Sequence, residues 1–117
     1  MTVVIIKEKP TKDDIQRARE EYPAYIKITV DVINEIVAIG GEYHADAEVI
    51  LVREYGSKNT NIWGGGYNIN TRGFETNAVV NIKPIISSNN PDISDPVAKD
   101  KFLSLVNEVL KDIESLI

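Results

Sequence analysis

The chain has 117 residues, 43% hydrophobic and 26% charged, which is the length of one domain and a composition able to build a core. Thirteen basic residues against eighteen acidic ones give a net charge of −5, and the basic residues never cluster, which argues against nucleic acid and against anionic membrane surfaces as partners. There is no cysteine for a disulfide, a thiolate nucleophile or a cysteine-based zinc site, and with neither a signal-peptide pattern nor an apolar run near about 20 residues the expected location is cytoplasmic.

Val3-Val4-Ile5-Ile6 predicts a short strand buried on both faces, hence central or well covered. Thr11 caps a helix with Asp13 and Asp14 in its first turn. Ile15, Ala18 and Tyr22 share one face, and Pro23 stops it. Ile26, Ile28, Val30 and Val32 alternate with Lys27, Thr29 and Asp31, a strand with one clean inner face. A turn at Asn34-Glu35 returns the chain through Ile36-Val37-Ala38-Ile39, so residues 25–39 form a hairpin that sets Asp31 opposite Ala38. Asn-Glu is a weaker turn signal than Asn-Gly, which leaves room for a longer loop.

Gly40-Gly41 interrupts the pattern. Glu42, His44, Asp46 and Glu48 then alternate with Tyr43, Ala45, Ala47, Val49 and Leu51. The period of two, followed by Val49-Ile50-Leu51-Val52, favours a strand. A helix over His44–Leu51 is the alternative, since His44 and Glu48 are four apart. Gly64-Gly65-Gly66 suggests a bulged short strand or a loop of close backbone approach. Ala78-Val79-Val80-Asn81-Ile82 reads as a last strand. Asp95-Pro96 opens a final helix whose Phe102, Leu105, Val106, Val109, Ile113, Leu116 and Ile117 make a broad apolar face, with Leu103 and Leu110 beside it. The expected fold is one α+β domain over residues 1–117, a mostly antiparallel sheet of about five or six strands with an N-terminal and a C-terminal helix. Surplus apolar surface on the last helix, or a sheet edge, predicts a homodimer.

The order of Ala38-Ile39-Gly40-Gly41-Glu42, His44-Ala45-Asp46-Ala47-Glu48, Gly56-Ser57, Ile62-Trp63-Gly64, Asn81-Ile82-Lys83-Pro84 and Asp95-Pro96 resembles an uncharacterised prokaryotic family of short α+β proteins, a domain of unknown function with a GGE-x-HADAE block. The resemblance spans most of the chain and implies no activity. It also implies an arginine where Lys83 stands and an Arg-Ser pair before Asp95, where this chain reads Ser88-Asn89-Asn90-Pro91-Asp92. An anion contact made by that arginine would be missing here.

The densest chemistry is the stretch GGEYHADAE. Four ionisable groups at alternate positions, three of them acidic, are an unusual strand face, because like neighbours repel. Glu42, His44, Asp46 and Glu48, bordered by Trp63, are therefore the candidate ligand-binding residues, set against the plainer reading of a solvated strand face with cross-strand charge pairs such as Lys27 with Glu42. A divalent metal is the possible cofactor, held by His44, Asp46 and Asp31, since same-face strand neighbours stand about 6.8 Å apart and two can lean onto one ion. Carboxylates around the only histidine predict a raised imidazole pKa. A triad of Ser57, His44 and Asp46 or Asp31 can be written, but Tyr55-Gly56-Ser57-Lys58 is not a nucleophile elbow. Gly64-Gly65-Gly66 lacks the helix and lysine of a phosphate loop. The residues favour a non-enzymatic binding or interaction module with an unknown small-molecule ligand. The alternative is a metal-dependent hydrolase on the same face, with Glu48 or Asp46 as base.

Overall fold

The computed structural model describes residues 3–6, 8–76 and 96–117. Among the described residues five strands form one sheet: β1 (Val3–Ile6), β2 (Tyr25–Asp31), β3 (Ile36–Gly40), β4 (Ile62–Asn68) and β5 (Gly73–Glu75). Their order is β1-β3-β2-β4-β5, and every described pairing is antiparallel. Four described α-helices accompany them: α1 (Lys12–Ala18), α2 (His44–Tyr55), α3 (Pro96–Val109) and α4 (Ile113–Leu116). The α+β expectation holds, with helices near both ends of the chain. The last strand expected at 78–82, the helix cap at Asp95 and the positions around Lys83 lie outside the described residues.

Local chemistry explains most of these elements. Thr11 Oγ1 accepts the Asp14 amide at 3.1 Å, and Asp14 Oδ2 accepts the Thr11 amide at 2.9 Å, closing a capping box at the start of α1. In the β2–β3 hairpin Ile26, Ile28 and Val30 are fully buried and Val32 nearly so, as their alternation predicts. The hairpin loop is longer than a two-residue turn. Asp31 pairs with Ile36, and it is Thr29 that lies opposite Ala38. Glu35 takes a φ of 58° within that loop.

The main core lies on one face of the sheet. Val4, Ile6, Ile26, Ile28, Val30, Val37, Ile39 and Tyr67 meet Ile15 and Ala18 of α1, Phe102, Leu105 and Val106 of α3, and Ile113 of α4. The apolar surplus expected on the C-terminal helix is largely consumed: Leu110 is fully buried and Leu103 packs against the core. The chain turns at residues 110–112 between α3 and α4, where one continuous helix was expected. Helix α2 packs on the opposite face, against β2 and β3. Ala38, Ala47, Leu51 and Ile62 form a second, thinner apolar layer there.

Two expectations about strands are overturned. β1 stands at the end of the order among the described strands, and it is not buried on both faces: Val4 and Ile6 are buried and Val3 and Ile5 only half-buried. A run of four apolar residues fits a strand that buries one face fully as well as one that buries both. β4 is continuous rather than bulged, in unbroken register with β2 from Ile62 to Asn68. Its glycines are there for space. A Cβ on Gly65 would strike the Glu75 carbonyl oxygen and stand 2.8 Å from Cζ of Phe102, and one on Gly66 would strike the Tyr25 ring. The strand trades propensity for close approach on both faces.

Gly65→Ala should therefore destabilise the fold by about 1–3 kcal/mol, the usual cost of overpacking, because one obstacle is backbone that cannot rotate away. Urea unfolding measures it. A variant as stable as the parent would mean that β5 and Phe102 do not close on β4.

Candidate functional site

The stretch from Gly40 to Glu48 is a helix start. Gly40 and Gly41 take φ of 89° and 92°, a region that favours glycine, and turn the chain out of β3. Tyr43 is the N-cap, and its amide donates to Asp46 Oδ2 at 3.0 Å, so the carboxylate secures the first turn and faces the positive end of the helix dipole. The expected strand is thus replaced by α2, and the physical reason is local. Ala45 and Ala47, which a strand pattern counts as apolar, are strong helix formers, and Asp46 stands three residues after the cap, where a carboxylate can reach back.

A helix turns about 100° per residue, so positions two apart diverge by about 200°. Glu42, His44, Asp46 and Glu48 consequently do not form one face: Asp46 turns away from His44, and only Glu48, four residues on, lies on the same side. Glu42 precedes the helix and is exposed, its carbonyl accepting the Tyr22 hydroxyl at 3.2 Å. His44 points inward and is 2% exposed. Asp46 caps the helix, and Glu48 is half-buried. Trp63 pairs with Val30 and packs on the main core, the face of the sheet opposite to α2.

His44 meets Thr29 of β2, with Nδ1 and Oγ1 at 2.9 Å, both residues buried. Its Nε2 has no hydrogen bond to a described residue. Burial pushes the imidazole down from 6.5 to about 4, and the nearby Lys27 charge adds to the shift. The raised value expected from flanking carboxylates is overturned, because burial of the imidazole dominates and the nearest charge acting on it is the Lys27 ammonium.

Asp31 is fully buried near the other end of α2. Its Oδ1 accepts the amides of Ile33 and Asn34 at 3.0 Å each, and its Oδ2 accepts Asn34 Nδ2 at 2.8 Å. Burial alone would raise its pKa, but these hydrogen bonds outweigh it and the carboxyl titrates below its ordinary range. Ser57 is buried beyond the end of α2. Its hydroxyl faces the same carboxylate and helps lower that pKa, without closing a hydrogen bond of full geometry. His44 and Ser57 stand at opposite ends of a helix about 18 Å long, so no triad forms. No group of three or more His, Asp or Glu able to hold a metal occurs among the described residues.

The pattern reading missed Tyr22, Tyr25, Lys27 and Thr29. The Lys27 ammonium lies 5.1 Å from the Tyr22 ring centroid and 5.7 Å from that of Tyr25. Lys27 is half-buried, and desolvation lowers its pKa. No carboxylate lies within ion-pair distance among the described residues. Tyr25 crosses Gly66 toward Glu75, and burial with that nearby carboxylate raises its hydroxyl to about 12. The one available signal was the alternation Tyr25-Lys27-Thr29-Asp31 itself. It looked like a solvent face and is in fact a covered one.

The model of a family described as "Protein of unknown function (DUF5674)" matches residues 4–109, and the chain belongs to that family. No curated protein and no solved structure matches it.

The buried His44 predicts a pH dependence. It is neutral in the folded state and takes up a proton only near pH 4, whereas the unfolded imidazole protonates near 6.5. The unfolded chain binds more protons between those values, so stability falls as pH drops through that window. Between about pH 7 and about pH 5 the loss should be on the order of 2 kcal/mol. Urea unfolding of the parent and of His44→Gln at the two pH values isolates it, since the variant should lose that part of the slope.

Proposed function

We propose that this DUF5674 chain is a small binding module without catalysis, and that it takes a small acidic molecule, a carboxylate or phosphate, where Lys27, His44 and the first turn of α2 meet. Lys27 carries the proposal. A partly desolvated ammonium is costly without a counter-ion, and its described neighbours are two tyrosine rings and a neutral imidazole. Ring faces offset part of that cost. An arriving anion would offset more.

Two observations weigh against catalysis on the same residues. An imidazole near pKa 4 is a weak base at neutral pH. The hydroxyl it touches, on Thr29, is only 1% exposed and out of a substrate's reach. A metal-dependent hydrolase needs His44, Asp46 and Asp31 to converge. Here each is engaged separately, with Thr29, with the Tyr43 amide and with the hairpin loop.

The test is an NMR titration of the labelled full chain with inorganic phosphate and with succinate. The amides of Gly40, Gly41 and His44 should shift, and Lys27→Met should weaken binding by about tenfold or more, as expected for a lost charge-assisted hydrogen bond. The same variant should fold at least as stably as the parent, because a desolvated charge has gone. Shifts that Lys27→Met leaves untouched, or no shifts at all, would refute the site.

A further inference from the structure

Helix α2 is apolar on more sides than the sheet uses. Its buried residues are His44, Ala47 and Leu51. At about 100° per residue, Ala45, Val49, Val52 and the C-cap Gly56 line up along the side turned away from them. Val49 is 49% and Val52 38% exposed, Ala45 and Gly56 are exposed as well, and Tyr55, at 37%, borders the line. No other described helix exposes as many large apolar side chains.

Charges frame this stripe in a self-complementary way. Asp46 in the first turn and Arg53 in the last are seven residues apart and therefore on one flank. Asp46 is half-buried and uses one carboxylate oxygen on the Tyr43 amide. Arg53 is exposed, with no carboxylate partner among the described residues. In an antiparallel helix pair about a two-fold axis, a flank meets the same flank of the other copy running the opposite way. With the axis between Ile50 and Leu51, Val49 faces the second copy's Val52 and Ala45 faces its Gly56. Asp46 then faces position 55 of the second copy, two positions or about 3 Å along the axis from its Arg53, an offset a long arginine side chain spans. The small residues at both ends allow the helices to approach closely.

We infer that the outer face of α2 is a self-association surface, on which two copies of this chain pair antiparallel through Val49 and Val52 with two Asp46–Arg53 ion pairs along one side. One helix face per copy is well below the roughly 800 Å² per partner of a standard interface. The pairing is accordingly a concentration-dependent equilibrium rather than an obligate dimer.

Sedimentation velocity over a concentration series tests it. The parent should move from monomer to dimer. Val49→Lys and Arg53→Asp should each weaken association by about tenfold or more, with unchanged circular dichroism because both side chains are exposed. Arg53→Lys should retain it. The chain has no cysteine, so Val49→Cys/Val52→Cys should cross-link to a dimer on oxidation. A strict monomer at millimolar concentration, or a dimer that ignores Val49→Lys and Arg53→Asp, would overturn the inference.

Discussion

β2 is buried on both of its faces, and the rest of the α2 side depends on how that is made tolerable. On one face Ile26, Ile28 and Val30 enter the main core. On the other, Thr29 and Asp31 are 1% and 0% exposed beneath a helix. A buried hydroxyl or carboxylate is costly unless it is hydrogen-bonded. Thr29 requires a polar group at the start of α2, and His44 provides it. Asp31 requires donors, and the four-residue hairpin loop bends back to supply them. The hairpin loop and the entry angle of α2 thus answer to the same pair of side chains.

The glycines of β4 settle what surrounds that strand. Gly66 is opposite Lys27, and Gly64 is opposite Thr29. With no Cβ at Gly66, the hydroxyl end of the Tyr25 ring sits over β4, where it stands beside the Lys27 ammonium and reaches toward Glu75. On the reverse face, the same lack of a side chain at Gly65 admits Phe102, so α3 docks deeper than a strand of ordinary residues allows. A three-glycine run that weakens a strand in isolation serves here to seat an aromatic ring on each side of it.

The hydrophobic skeleton was legible because its signals are local and redundant. Thr11 with Asp14, the alternation from Ile26 to Val32 and the apolar face from Phe102 to Ile113 each mean one thing in any context. The site was not legible, and GGEYHADAE shows why. Alternation of charged residues with alanine satisfies a period of two, yet alanine carries little weight for a strand, and the inward set His44, Ala47 and Leu51 satisfies the helical period with fewer residues. Once the period is wrong, residues that seem to share a face scatter around an axis, and the predicted imidazole shift takes the wrong sign. Tyr25, Lys27, Thr29 and Asp31 failed for another reason. Whether a polar strand face meets water or a helix is decided by tertiary packing, which no pattern within the strand encodes.

Helix α2 docks on a thinner apolar layer than the one that lies across the other face of the sheet. Its anchors are Ala47, Leu51 and the His44–Thr29 bond, set against a broad core behind α1 and α3. Elements with few buried apolar contacts open at lower free energy than the whole fold. An anion that needs His44 docked and a second copy that needs Val49 and Val52 aligned would both bind only the closed helix. Each would therefore raise the affinity of the other by the same factor, limited by the fraction of chains in which α2 is open. Opening also frees the imidazole to return from about 4 toward 6.5. Acid favours the open form over that interval, so coupling between the two faces of α2 is weakest near neutral pH and grows as protons make opening more frequent.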